Sequence, residues 1–238
     1  MLLKVENLVA GYGKFEVIRS LSLEISKGES VGLFGPNGHG KTTLLRCISG
    51  LVDARSGDVL FQGENIKNHT PGQIVDMGLI HVPQGNTLFP RMTVLENLKL
   101  GAYSRRAWEK RLENISRVFK LFPRLEERKS QYARTLSGGE RQMLSIGLGL
   151  MGVPDLLMLD EPSLGLAPKI KDELGQAILE IAQSGVTLLI VDQDIELLLG
   201  LCQRLYLIEK GQVSLETEEE EGIQQQEVLE MYFGRVAQ

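Results

Sequence analysis

The chain has little cysteine, no long apolar run and no excess of basic charge, and each shortage narrows what it can be. Only Cys47 and Cys202 occur in 238 residues, far apart and without metal-type spacing. That excludes a disulfide scaffold and predicts two reduced thiols in a cytosolic protein. No uninterrupted apolar stretch approaches the ~18 residues that cross a bilayer, so any membrane role must come through a partner. The N-terminal Met-Leu-Leu-Lys-Val-Glu-Asn has no basic stretch followed by a long apolar one and predicts no signal peptide. Lysine and arginine number 26 against 31 acidic residues, a formal net charge of −5. That balance argues against nucleic acid as the main partner, because phosphate backbones are met by basic faces. No internal repeat of solenoid period is present.

What is there suits a folded α/β protein. With 42% hydrophobic and 24% charged residues the chain can bury a sizeable core, as one large domain or two small ones. Alternating residues over 2–9 and 16–25 predict strands joined around Gly11-Tyr12-Gly13. Further strands are predicted at 29–34, 59–61 and 79–82. Thr70, Pro71 and Gln73 start a short helix. Residues 91–152 change to helical periodicity. Thr93 and Glu96 cap a helix to Leu100, residues 104–121 form one amphipathic helix stopped by Pro123, and a third runs from Glu140 to Met151. The chain then alternates: strand 155–159, helix 168–183, strand 186–191, helix 194–201, strand 204–208. Continuously apolar strands in that order predict a parallel sheet covered on both faces. Residues 216–221, five of the six glutamate, predict a solvated loop.

Three motifs carry chemistry. Gly35-Pro36-Asn37-Gly38-His39-Gly40-Lys41-Thr42 fits G-x-x-x-x-G-K-T, between an apolar strand and an apolar-periodic helix beginning near Thr43. Glycines let successive N–H groups converge on an anion, the helix start adds its positive end, and Lys41 and Thr42 supply a cation and a hydroxyl for Mg²⁺. This predicts a nucleoside triphosphate site. Asp160 and Glu161 end the apolar run Leu156–Leu159, where open α/β sheets bind ligands. Asp160 suits Mg²⁺ and Glu161 suits the water that attacks the γ-phosphate. Leu136-Ser137-Gly138-Gly139-Glu140 reads as a capping box with two glycines in the first helical turn, where they cost helix stability but expose N–H groups to an anion.

In this order, with a helical insertion between them, the three motifs resemble the ATPase subunit of ATP-binding cassette transporters over nearly the whole chain. The resemblance implies an α/β fold: a P-loop NTPase with a mostly parallel sheet core, an N-terminal antiparallel β subdomain and an inserted helical subdomain. It implies one cassette over 1–238, with a catalytic core at about 1–90 and 153–238 and helices at about 91–152. It implies a head-to-tail dimer in which Ser137 and Gly139 of one subunit, with Gly138 and Glu140, close over ATP on the phosphate loop of the other. Tyr12 matches an aromatic ring against adenine. Gln84 matches a glutamine that senses Mg²⁺ with Thr42 and Asp160, and Ser163-Leu164-Gly165-Leu166 matches a loop that crosses the interface. The stretch from about Gln84 to Leu98 is where a permease would dock.

One position departs from the pattern. Val191-Asp192-Gln193 places glutamine where a histidine usually meets the γ-phosphate. Gln193 can donate a hydrogen bond but carries no charge. Either this site is weakened and a partner supplies a better one, or glutamine suffices. Val-Asp-Gln, Asp-Glu-Pro-Ser-Leu-Gly-Leu-Ala-Pro and Leu-Ser-Gly-Gly-Glu-Arg-Gln-Met-Leu together resemble the shorter ATPase subunit of branched-chain amino acid importers, a branch whose relatives serve urea and amides. The implied catalytic residues are Glu161, Gln193 and Lys41, with ATP and Mg²⁺ as cofactors. The implied partners are two integral-membrane permeases, a second related ATPase (a homodimer being the alternative) and, indirectly, an extracytoplasmic solute-binding protein. The implied location is the cytoplasmic face of the inner membrane, through the permease. Other classes weighed are a soluble cassette ATPase acting on DNA or ribosomes and a P-loop kinase or nucleotide sensor. One cassette, a short insertion and an acidic balance disfavour the first, and the Ser137–Glu140 motif is left without a role by the second. His39 occupies a free loop position as a solvated side chain, with a contact to phosphate as the alternative; His69 and His81 have no metal spacing.

Overall fold

The computed structural model describes residues 1–85 and 88–218. Two sheets organise it. The first is antiparallel, in the order β2-β1-β4-β5, built from β1 (Leu3–Tyr12), β2 (Phe15–Ile25), β4 (Ala54–Phe61) and β5 (Glu64–Asn65). The second contains β3 (Ser30–Phe34), β6 (Leu79–Val82), β7 (Leu156–Asp160), β8 (Thr187–Val191), β9 (Arg204–Glu209) and β10 (Gln212–Glu218), in the order β10-β9-β3-β8-β7-β6. Five of its strands are parallel and β10 is antiparallel to β9.

The parallel strands are mostly apolar because both faces are covered. Leu157 and Leu159 of β7 enter a core with the helices, while Leu156 and Met158 enter a second core with the antiparallel sheet. The period of two along a strand divides one hydrophobic run between two cores. Helix α1 (Lys41–Ile48) lies on the antiparallel-sheet side through Leu44, Leu45 and Ile48, and α2 (Pro71–Asp76) adds Ile74. The opposite face carries α3 (Val94–Gly101), α4 (Arg105–Glu109), α5 (Arg111–Leu121), α6 (Pro123–Glu127), α7 (Gly138–Met151), α8 (Pro168–Gln183) and α9 (Ile195–Leu201).

Several elements differ from the sequence reading. Residues 104–121 are two helices, broken at Lys110. Arg111 stacks on the Trp108 ring at 4.1 Å and donates to its carbonyl at 2.8 Å, occupying the acceptor that a continuous helix would offer to residue 112. Pro123 stops α5 but also opens α6, as proline does at a first helical position. The strand expected at 59–61 starts at Ala54. Gly57, which looks like a turn, sits inside it at φ 82 opposite a bulge at Asn7-Leu8 of β1; a Cβ there would lie 2.4 Å from the Asn7 carbonyl oxygen. The turn expected at residues 11–13 is displaced: Tyr12 still pairs with Phe15 and the chain reverses through Gly13 and Lys14. Residues 216–218 belong to β10 rather than a loop, and Glu216 pairs with Arg204 at 3.0 Å. Glu219, Glu220 and Glu221 lie outside the described residues.

Candidate nucleotide site

Four loops leave the carboxyl ends of β3, β6, β7 and β8 side by side, the crevice where open α/β sheets bind ligands. The β3 loop requires glycine at its first position. Gly35 has φ 139, and a Cβ would stand 2.2 Å from the Ile208 carbonyl oxygen of β9. Gly40, at φ 109, precedes α1 without a side-chain cap, so the N–H groups of the first turn remain open to an anion. Lys41 turns back onto its own loop and donates to the carbonyls of Gly35 (2.7 Å) and Pro36 (3.1 Å). Burial pushes its pKa down, against the fields of Glu161, Asp160 and Asp192. An ammonium surrounded by carbonyls in a buried place is poised for a stronger anionic partner. Thr43 is buried beside it, while Asn37 and Gly38 are exposed.

The β7 carboxylates divide their roles by environment. Asp160 is buried, and burial raises its pKa. Its Oδ1 accepts from Thr42 Oγ1 at 3.1 Å, while its Oδ2 is buried without a hydrogen-bond partner. A hydroxyl beside an orphaned carboxylate oxygen is the donor set of a hard divalent cation. Glu161 bends away, at φ 48, with its N–H donating to the Val191 carbonyl at 2.7 Å. A non-glycine residue in that region marks a place where the surroundings dictate the backbone. Its two oxygens accept from different amides, Gln84 Nε2 at 2.7 Å and Gln193 Nε2 at 2.9 Å. Asn37 Nδ2 donates to Gln193 Oε1 at 3.4 Å, which joins the phosphate loop to the same chain of contacts.

The structure therefore brings Asn37, Lys41, Thr42, Gln84, Asp160, Glu161 and Gln193 together. Tyr12 stands at the end of β1, its hydroxyl accepting from Arg46 Nη1 of α1 at 3.3 Å. Ser137, Gly138, Gly139 and Glu140 lie at the start of α7, and no hydrogen bond or ion pair among the described residues joins them to the phosphate loop. Ser137 caps α7 by accepting from the Glu140 N–H at 3.3 Å, and Glu140 accepts from the Ser137 N–H at 2.8 Å. Glu140 is also paired with Arg128 at 2.7 Å. Burial raises its pKa, but the Ser137 hydrogen bonds and Arg128 outweigh that and hold it below the usual range. Ser137 and Gly138 face solvent.

His39 is not a free, solvated side chain. It is half-buried, its Nδ1 accepts from the Lys210 N–H at 3.3 Å, and its carbonyl accepts from Gly211 at 3.1 Å. Sequence reasoning also missed Asp192. This buried residue accepts from Ser163 N (3.0 Å), Ser163 Oγ (2.9 Å), Gln193 N (2.8 Å) and Asp194 N (2.9 Å). Its signal, a carboxylate ending an apolar strand, is the one that exposed Asp160. Arg46 had no such signal.

The pattern of the family described as ABC transporter matches residues 18–164. Over 212 residues (89% of this chain, 91% of the relative) the sequence is 40% identical to the high-affinity branched-chain amino acid transport ATP-binding protein BraG of Pseudomonas aeruginosa. Over 214 residues (90% of each) it is 35% identical to the probable branched-chain amino acid transport ATP-binding protein LivF of Archaeoglobus fulgidus. A crystal structure of the ADP conformation of an ATP-binding cassette of an ABC transporter shares 30% identity with it, at a TM-score of 0.82 covering 98% of both chains. With this fold and these loops, the chain belongs to the ABC transporter family, as a nucleotide-binding ATPase subunit that works with membrane permeases.

Proposed function

We propose that the chain powers import of the branched-chain amino acids leucine, isoleucine and valine. The observation that carries this reading is the near full-length 40% identity with BraG, alongside the similarity to LivF. ATP is held with its base against Tyr12 and its phosphates on the N–H groups of Gly35–Thr43 and on Lys41. Thr42, Asp160 and Gln84 would hold Mg²⁺, which offsets phosphate charge; the orphaned Asp160 Oδ2 supports that assignment.

Glu161 orients the attacking water and accepts its proton as the new phosphorus–oxygen bond forms and the bond to the β-phosphate breaks. Free phosphate and ADP result. Gln193 donates an amide hydrogen bond to the γ-phosphate, and its contacts with Asn37 and Glu161 support a position between them.

Ser137, Gly138, Gly139 and Glu140 act on the nucleotide of a facing subunit. The exposure of Ser137 and Gly138, and the lack of any bond among the described residues from the four to this chain's own phosphate loop, support that arrangement. The facing subunit is a related ATPase in a heterodimer. Residues 1–90 and 153–238 form the catalytic core, and 91–152 form the helical subdomain. Two permeases dock near Gln84–Leu98 and hold the chain at the cytoplasmic face of the inner membrane, and a solute-binding protein delivers cargo from outside. Reconstitution with its permeases and binding protein tests the solute. ATP hydrolysis is expected to rise with leucine, isoleucine or valine; stimulation by urea or amides instead would overturn the assignment.

A further inference from the structure

We propose that Phe15 is a second base-contacting residue, forming with Tyr12 a two-ring platform for a purine. The inference rests on the reading of Tyr12 as the residue that meets the base. Tyr12 and Phe15 are direct partners across the antiparallel β1–β2 pair, separated by the two-residue turn Gly13-Lys14. Directly opposed residues project to one face with Cβ atoms about 5 Å apart. The two rings therefore share the face on which Tyr12 would receive the base.

Both rings are open to solvent, Tyr12 at 45% exposure and Phe15 at 80%. No core residue accounts for Phe15, whereas a base laid against it would remove that apolar surface from water. The platform is held from behind. Arg55 Nη2 donates to the carbonyls of Gly13 (2.8 Å) and Phe15 (3.1 Å), and Arg46 Nη1 donates to the Tyr12 hydroxyl (3.3 Å). Two arginines, one from β4 and one from α1, fix the hairpin tip relative to the helix that follows the phosphate loop. Ring faces do not read hydrogen-bond edges. The platform therefore favours purines over pyrimidines by area and barely separates adenine from guanine.

The test is calorimetric titration of the full chain with ADP, GDP, CDP and pyrophosphate, in the wild type and in the Phe15→Ala, Phe15→Tyr and Tyr12→Ala variants. Phe15→Ala is expected to weaken ADP and GDP by about three- to tenfold, the size of one aromatic contact. CDP should lose less, pyrophosphate should be unchanged, and Phe15→Tyr should retain wild-type affinity. Unchanged ADP affinity in Phe15→Ala, or an equal loss for pyrophosphate, would overturn the proposal. A base-dependent loss in Tyr12→Ala alone would defeat the role of Phe15 and leave that of Tyr12. No loss in Tyr12→Ala would defeat the reading of Tyr12 itself.

Discussion

Asp192 makes a demanding test, because one carboxylate holds both the β7 loop, through Ser163, and the backbone of Gln193. Asp192→Ala removes four hydrogen bonds at once. The Gln193 and Asp194 N–H groups lie where water can replace the lost oxygen, so they add little. Ser163 is buried and cannot be rehydrated without opening the loop. Hydrogen bonds to a charged group contribute about 1.5–3 kcal/mol each, so losing the two from Ser163 costs about 3–6 kcal/mol. For a domain of this size each kcal/mol moves Tm by roughly 2–4 °C, which gives a fall of roughly 6–24 °C. Ser163→Ala removes only the Oγ contact and is expected to cost about 1–2 kcal/mol. Because both substitutions break the same contact, the double variant should be less destabilised than the sum. The assay is thermal unfolding of the four proteins for Tm and denaturant unfolding for the free energies. A Tm change below about 2 °C for Asp192→Ala, or strict additivity with Ser163→Ala, would refute the reasoning.

Other consequences concern charge. Lys41→Met should leave the Tm of the nucleotide-free chain unchanged or raised, because burial already disfavours the ammonium, while the Tm increase on adding ADP disappears. Thermal scans with and without ADP check both halves. His81 is held to a pKa of about 4 from 6.5 by burial and by the Arg46 charge. Its neutral form stabilises the fold fully above about pH 6.5, and that contribution is lost as pH falls toward 4. The whole shift corresponds to about 3 kcal/mol. The stability difference between wild type and His81→Asn should therefore shrink by about that amount over the window, as read by urea unfolding; a pH-independent difference would contradict it.

Much of this was legible because the informative residues are local. A phosphate loop, a capping box and an apolar strand ending in carboxylates each announce themselves within about eight residues, and the alternation after residue 155 fixes the parallel order. What escaped depends on individual side-chain and cross-strand contacts, most of them distant in sequence. The Arg111–Trp108 stack breaks a helix whose hydrophobic period runs on undisturbed, and Gly57 looks like a turn until the partner strand shows it to lie opposite a bulge. The donors of Gln84 and Gln193 to Glu161 span 77 and 32 positions, and the Lys210 contact to His39 spans 171. No period or spacing in the chain encodes such pairs.

Leucine uptake by cells whose only copy carries Glu161→Gln is the most direct test of ATP-driven import. Wild-type cells should accumulate leucine. The variant should bind ATP, hydrolyse it negligibly with its permeases and fail to accumulate leucine, with urea and amide uptake intact. Wild-type leucine uptake in the variant would contradict both the role of Glu161 and the coupling of this chain to branched-chain amino acid import.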